Sequence, residues 1–198
     1  GSIPADNPYA SNGLGNAAVW SYGHRNPQGL VLDKMSGHLY SHEHGAKGGD
    51  ELNLIKPDTN YGWPAVTKGV NYSGAYVSPL RSAPGIEEPL TYWDPSIGAS
   101  GLAIYDGDAF PNWQGKLFIG ALVDEEVRML TLSDGRVVDE QAMFSEIGAR
   151  IRDVRTGPDG MLYLLTDSAQ GKVIRVVPVS DPANEANLSA AMTTEQGQ

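Results

Sequence analysis

Gly37-His38-Leu39-Tyr40 is the first of three copies of one short pattern, which returns as Gly115-Lys116-Leu117-Phe118 and Gly160-Met161-Leu162-Tyr163. The copies begin 78 and 45 residues apart. An apolar stretch precedes each copy, and a second apolar stretch follows it. A unit of about 45 residues with several short strands and glycine turns is typical of a propeller blade. The pattern therefore predicts an all-β fold with about three β-propeller blades.

The wider first spacing indicates an insertion in the first blade. We assign it to residues 57–91, which are rich in Gly, Pro, Tyr, Asn and Ser, and we expect Tyr61 and Trp63 to anchor it. Closed propellers have at least about four blades, so three blades predict a partial propeller over residues 1–180 whose open flanks need a partner. Residues 181–198 are polar and predict a disordered tail.

Composition argues against several classes of function. The chain has 14 Lys and Arg against 24 Asp and Glu, and its net charge of −10 disfavours binding to nucleic acid or to a membrane surface. The absence of cysteine excludes disulfides, thiolate metal sites and thiol nucleophiles. The sequence has no apolar run of about 18 residues, and its first residues do not resemble a signal peptide.

The densest group of polar side chains lies in Ser21-Tyr22-Gly23-His24-Arg25-Asn26-Pro27-Gln28-Gly29. Arg25 offers a fixed fork of donors, Asn26 and Gln28 can both donate and accept, and Pro27 stiffens the loop. This composition indicates a binding loop. The alternative is a turn in which these side chains bond only to the carbonyl groups of the loop itself.

A second polar group surrounds the glycine-rich stretch at residues 41–51. His42 and His44 are two residues apart, so on a strand they share a face and could ligate zinc, as in a metal-dependent hydrolase. No third histidine or cysteine lies nearby. Free loop carbonyls together with Asp50 or Glu51 would instead suit calcium. A solvated acidic turn remains the alternative to both.

Three arginines are concentrated in Arg150-Ile151-Arg152-Asp153-Val154-Arg155. Strand alternation places Arg150, Arg152 and Val154 on one face and Ile151 and Asp153 on the other. The two arginines could therefore clamp an anion. Alternatively, they form ion pairs with Asp153, Asp159 or Glu146.

Four phrases together resemble the soluble pyrroloquinoline quinone (PQQ)-dependent aldose sugar dehydrogenases of the glucose/sorbosone dehydrogenase family. The resemblance runs from about Ile3 to Val177. The phrases are Tyr22-Gly23-His24-Arg25-Asn26-Pro27-Gln28-Gly29; His42-Glu43-His44-Gly45 with Gly48-Gly49-Asp50-Glu51-Leu52-Asn53-Leu54-Ile55; Asn60-Tyr61-Gly62-Trp63-Pro64; and Arg150-Ile151-Arg152-Asp153-Val154-Arg155 with Gly157-Pro158-Asp159-Gly160.

The resemblance implies a fold and a chemistry. The family fold is a six-bladed propeller, of which this chain would supply the C-terminal half. PQQ lies over Ca²⁺ on the top face, and hydride passes from the sugar C1 to the quinone. Arg25 would polarise the quinone oxygen, with Asn26 and Ser96 beside the cofactor, and Arg150 and Arg152 would pair with its carboxylates.

The resemblance also implies metal ligands and a location. The carbonyl groups of Gly45 and Ala46 would hold the Ca²⁺ that binds PQQ. Glu51 and the Tyr61 carbonyl suggest a second, structural Ca²⁺. The substrate would be an aldose sugar, and the protein would be periplasmic or secreted.

The chain departs from the family pattern at several positions. Val123 stands where the family usually has a lysine that pairs with a cofactor carboxylate, and Ala46 and Ala99 stand where proline is usual. None of the four histidines matches the motif of the general base, which the family draws from the N-terminal half. We therefore expect full activity to need a second half-propeller or a second copy of the chain. The alternative is a non-catalytic module that binds sugar or protein.

Overall fold

The computed structural model describes residues 1–11, 15–179 and 190–194, in which the strands form three antiparallel sheets of four. The strands of each sheet follow chain order, which is the meander of a propeller blade. The strands are β1 (Pro27–Leu32), β2 (Leu39–Glu43), β3 (Asp50–Ile55) and β4 (Thr91–Trp93) in blade 1; β5 (Ala99–Ile104), β6 (Leu117–Ala121), β7 (Val127–Ser133) and β8 (Arg136–Met143) in blade 2; and β9 (Ile151–Thr156), β10 (Leu162–Thr166), β11 (Val173–Pro178) and β12 (Ala190–Thr194) in blade 3. The all-β prediction and the three blades are confirmed.

Each copy of the repeated pattern forms the turn between the first and second strands of its blade. Gly37, Gly115 and Gly160 have φ angles of 76°, 74° and 75°. Only glycine enters this left-handed region without a steric penalty. The leucine that follows two residues later begins the second strand of each blade. The repeat therefore marks equivalent positions in the three blades.

Blade 1 belongs to a compact unit of residues 1–96. Residues 56–90 join β3 to β4, and they include most of the segment that we assigned to the insertion. Tyr61 anchors the insertion, since its buried hydroxyl donates to the Leu54 carbonyl at 2.6 Å and accepts from the Lys56 N–H at 2.9 Å. Trp63 is only partly buried.

Blades 2 and 3 belong to a second unit, residues 97–198. Their facing sheets share a buried apolar cluster in which Phe118 and Trp113 from blade 2 lie with Ile151 and Leu162 from blade 3. The Ser100 hydroxyl lies 2.9 Å from the Gly120 carbonyl oxygen and 2.6 Å from that of Ile151. The single partial propeller over residues 1–180 stays a prediction.

The first strand of every blade contains a β-bulge near its start. Pairing skips one extra residue in β1 between Pro27 and Gly29, and one in β5 between Ala99 and Leu102. In β9 the extra residue is Arg152. Our expectation of strict alternation in this strand was wrong, because the bulge shifts the period by one. Consequently Ile151 and Val154 are both buried, whereas Arg152 is exposed.

Part of the expected disordered tail pairs with blade 3. Residues 180–189 and 195–198 lie outside the described residues, but β12 runs antiparallel to β11. The open edge of β11 offers unpaired backbone groups, and an added strand satisfies them. Throughout the part of the chain that the structure describes, no helix is long and apolar enough to cross a membrane.

Candidate functional site

The loop before β1 presents Arg25 toward β2. The Arg25 Nη1 donates to the His44 carbonyl at 3.1 Å, and the guanidinium lies 5.2 Å from the centre of the Trp63 ring. The Arg25 Nε is buried and has no hydrogen-bond partner among the described residues. A buried donor without an acceptor is unfavourable, so Arg25 is prepared to bind an acceptor atom of a ligand.

Asn26 takes part in the turn network that we considered as the alternative for this loop. Its side-chain oxygen accepts from Gln28 Nε2 at 3.1 Å, and its backbone carbonyl accepts from the His44 N–H at 3.1 Å. The side chain is nevertheless exposed beside Arg25. The loop therefore combines a local network with one guanidinium nitrogen, the Arg25 Nε, that has no hydrogen-bond partner among the described residues.

The loop between β2 and β3 contains the two predicted carbonyl ligands. The structure gives the carbonyl oxygens of Gly45 and Ala46 no donor among the described residues, and such oxygens suit Ca²⁺. The Gly45 N–H donates to Asp50 Oδ1 at 3.2 Å. A Cβ at Gly45 would lie 2.0 Å from the Gly48 carbonyl oxygen, so only glycine fits there.

Glu51 faces another carboxylate. It pairs directly with Glu43 across β2 and β3, and both line a small cavity with Arg25, Gly45 and Tyr61. Burial, followed by the charge of Glu43, raises the pKa of Glu51 to about 7. Two carboxylates with restricted access to water attract a cation. The predicted ligand residues Glu51 and Tyr61 both line this cavity.

Ser96 does not project freely from its loop. Its hydroxyl donates to Asp50 Oδ2 at 2.7 Å, and the other Asp50 oxygen accepts from Gly45. Asp50 is almost completely buried. The carboxylate thus connects the predicted residue Ser96 to the loop that carries the predicted carbonyl ligands.

The zinc alternative gains no support from the described residues. His42 is completely buried within β2, while His44 lies beyond the end of the strand and is partly exposed. Nowhere in residues 1–11 and 15–179 do three or more His, Cys, Asp or Glu side chains form a cluster suited to a metal.

Arg150 and Arg152 converge on one carboxylate in the second unit. Both bind Asp167 Oδ2, Arg150 at 3.0 Å and Arg152 at 2.8 Å. Hydrogen bonding from Arg152 is the main reason why the pKa of Asp167 is lowered. The two arginines thus form ion pairs with an acid of the protein, as in the alternative, although Asp167 is none of the acids that we considered. Their role as an anion clamp stays a prediction. Val123 is 63% exposed in the turn between β6 and β7.

The sequence did not predict that Glu43 and Asp167 contact the residues of the site. Glu43 accepts hydrogen bonds from the loop that carries Arg25, and Asp167 joins the two arginines. An acidic residue between two histidines in a strand-like segment was a signal for Glu43. Asp167 had no comparable signal, since it follows an ordinary strand.

The sequence profile described as Glucose / Sorbosone dehydrogenase matches residues 1–175. The chain is 46% identical over 180 residues to Aldose sugar dehydrogenase YliI of Escherichia coli strain K12, covering 90% of this chain and 48% of that protein. It therefore spans about half the length of this curated relative.

Solved structures agree with the sequence comparison. A crystal structure of glucose dehydrogenase matches with a TM-score of 0.85 and 50% identity, over 90% of this chain and 52% of that one. The PQQ-bound form of Aldose Sugar Dehydrogenase from Streptomyces coelicolor matches with a TM-score of 0.62 and 29% identity, over 88% of this chain and 48% of that one. The blades described above are thus those of these dehydrogenases.

Proposed function

The chain belongs to the glucose/sorbosone dehydrogenase family, and on this premise we propose that it takes part in oxidising the C1 hydroxyl of aldose sugars with PQQ and Ca²⁺. The observation that carries the proposal is the buried Arg25 Nε, which has no acceptor among the described residues. PQQ has acceptor oxygens on its quinone and its carboxylates, so the donor set of this protein fits it.

The residues of the site would hold PQQ in different ways. Arg25 would donate to an oxygen of the cofactor, and such a hydrogen bond stabilises negative charge on that oxygen. Asn26 and Ser96 would contact the cofactor. Arg150 and Arg152, which bind Asp167, would by the family resemblance pair with its carboxylates. When bound, PQQ supplies the acceptor for the two electrons and the hydrogen of the sugar C1.

Calcium fits the oxygen donors of blade 1. The carbonyls of Gly45 and Ala46 would hold the Ca²⁺ that binds PQQ, and this ion would supply Lewis-acid polarisation. Glu51 and the Tyr61 carbonyl would hold a second Ca²⁺ with a structural role. The raised pKa of Glu51 supports this second site, because a cation would relieve the repulsion from Glu43.

The proton of the sugar hydroxyl needs an acceptor, and we propose that a histidine from outside these 198 residues supplies it. The apolar face of blade 1 supports a second half-propeller as the partner. This face has a cavity of about 410 Å³ whose lining includes Trp20, Leu30, Leu39 and Ile55. We further propose a periplasmic or secreted location, by analogy with the family.

A second candidate function is a non-catalytic module that binds sugar or protein. Val123 favours it, because a valine cannot replace the lysine that usually pairs with a cofactor carboxylate. Titration with PQQ and Ca²⁺, followed by glucose and a dye acceptor, separates the two. Cofactor binding without dye reduction would support an incomplete enzyme, and sugar binding without any cofactor binding would support the module.

The proposal is tested on Arg25 directly. Arg25→Ala is expected to weaken PQQ binding by about tenfold to a hundredfold, since a charge-assisted hydrogen bond contributes about 1.5–3 kcal/mol. Arg136→Ala is the matched control, because Arg136 is an exposed arginine on β8. Equal affinities for the two variants would contradict the role of Arg25, and failure of the unmodified chain to bind PQQ would reject the quinoprotein assignment.

A further inference from the structure

One buried carboxylate accepts four hydrogen bonds around the candidate site. Glu43 lies at the end of β2, and its residue is 5% exposed. Its Oε2 accepts from the backbone N–H groups of Arg25 and Asn26, the latter at 3.0 Å. Its Oε1 lies 3.1 Å from His24 Nδ1 and accepts from Asn53 Nδ2 at 3.3 Å. The side chain is therefore fully engaged.

These contacts join two separate segments of unit 1. His24, Arg25 and Asn26 belong to the loop before β1, whereas Glu43 and Asn53 belong to the neighbouring strands β2 and β3. The backbone N–H groups of Arg25 and Asn26 lie outside a strand and do not pair with a neighbouring strand. The Glu43 carboxylate accepts their hydrogen bonds instead. Two hydrogen bonds to consecutive N–H groups fix the peptide plane between Arg25 and Asn26, and thus the direction in which both side chains leave the backbone.

A further stack restrains the loop on its other side. The His24 ring stacks on Tyr61 with centroids 4.5 Å apart and an angle of 23°. With Nδ1 directed at Glu43, its Nε2 lies 2.9 Å from the Ser21 hydroxyl. Ser21, His24 and Glu43 therefore form a continuous chain that ends at the backbone of Arg25.

We infer that Glu43 is a positioning residue, which holds the Arg25–Asn26 peptide so that the Arg25 guanidinium is directed at its ligand. The inference rests on the proposed function for the identity of that ligand, PQQ. Its structural part, control of the loop by the carboxylate, is independent of any cofactor. Glu43 touches no reacting atom in this assignment and acts only through Arg25 and Asn26.

Side-chain length and side-chain charge can be separated at this position. Glu43→Gln keeps the length and retains one carbonyl oxygen that can accept from both backbone N–H groups, but it removes the charge. Glu43→Asp keeps the charge and withdraws the acceptor by one methylene. Positioning predicts that glutamine preserves the loop better than aspartate does. A role as a charge beside a cation predicts the reverse order.

The first measurement needs no cofactor. Amide hydrogen exchange of the full chain, followed by NMR, is expected to be at least about tenfold faster at Arg25 and Asn26 in Glu43→Ala, because each N–H loses the side-chain oxygen that accepts its hydrogen bond. In Glu43→Gln the exchange rates of both amides should stay within about threefold of those in the unmodified chain. The rates in Glu43→Asp should lie between those of Glu43→Gln and Glu43→Ala. Amides of β10 should not change. Glu87→Gln, at an exposed ion pair with Lys56, is the control.

The second measurement uses PQQ with Ca²⁺. Glu43→Ala should weaken binding by about tenfold in the unmodified chain but by less than about threefold when combined with Arg25→Ala, because coupled residues give non-additive effects. Additive losses, unchanged exchange at the two amides, faster exchange throughout unit 1, or better retention by Glu43→Asp than by Glu43→Gln would each overturn the inference. If the unmodified chain does not bind PQQ, the proposed function fails, and the exchange data still decide whether Glu43 positions the loop. If Glu43→Ala does not fold, the exchange rates of Glu43→Gln and Glu43→Asp still test the inference, because positioning predicts slower exchange in the glutamine variant.

Discussion

Replacing Glu51 with glutamine is expected to remove a pH-dependent loss of stability from the calcium-free protein. Glu51 is partly buried and faces Glu43 across β2 and β3. Burial and this neighbouring charge raise the pKa of its carboxyl from 4.5 to about 7. Between these two values the folded chain binds a proton that the unfolded chain has released. Stability should therefore be fully present below about pH 4.5 and decline as the pH rises through 7.

The size of the effect follows from the shift. One pKa unit corresponds to about 1.4 kcal/mol, so the loss could reach about 3 kcal/mol, and partial exposure reduces this to about 2 kcal/mol. Glutamine has nearly the same shape and no charge, so Glu51→Gln should be more stable than the unmodified chain by that amount at pH 8. Near pH 4.5 the two proteins should differ little.

Urea denaturation in EDTA at pH 4.5 and pH 8, monitored by tryptophan fluorescence, measures this difference. Added Ca²⁺ should stabilise the unmodified chain at pH 8 but have little effect on Glu51→Gln, because the variant lacks the anionic oxygen. Glu87→Gln serves as the matched control at a surface ion pair. Identical pH dependence in the unmodified chain and Glu51→Gln would refute the reasoning.

Three further results are expected. Gly45→Ala should lower the urea midpoint in EDTA, because the new Cβ would collide with the Gly48 carbonyl oxygen; an unchanged midpoint would contradict this. Phe118→Ala should lower the free energy of unfolding by about 3–5 kcal/mol, since the ring is fully buried in the core of the second unit, and a loss below about 1 kcal/mol would argue against that packing. Asp167→Asn should leave the urea midpoint unchanged and tighten PQQ binding several-fold in fluorescence titration, because its two arginine partners no longer share a carboxylate; weaker binding would instead show that Asp167 orients them.

Local sequence was enough to predict most of the strands. The repeated turn was recognisable because glycine, a left-handed conformation and an adjacent apolar strand occur together over a few residues. Three strands were not predicted, and one of them is β12, which lies in the segment expected to be a disordered tail. The strand β8, Arg136–Met143, is mostly exposed and polar, and β4 has only three residues, so neither shows an apolar pattern.

The candidate site was predictable in its residue types but not in its contacts. The sequence indicated an arginine pair suited to an anion, yet the partner of Arg150 and Arg152 is Asp167, 15 to 17 residues away. The nearer acids are engaged elsewhere, Asp153 with Arg155 and Asp159 with Arg175. Which acid pairs with Arg150 and Arg152 depends on the register between β9 and β10, and the bulge at Arg152 changes that register.

The bulges also add a residue to a strand without moving its core residues to the surface. In a regular strand, side chains alternate between the core and the surface, so one inserted residue would move all later side chains to the opposite face. An extra residue in the first strand of a blade belongs to neither set. Arg152 illustrates this, since it is exposed in β9 while Ile151 and Val154 are buried. The side chain at the bulge differs among the blades, because Gln28 is exposed in β1, whereas Ser100 in β5 is buried and lies 2.6 Å from the Ile151 carbonyl oxygen. All three blades thus repeat the bulge without repeating the surroundings of its side chain.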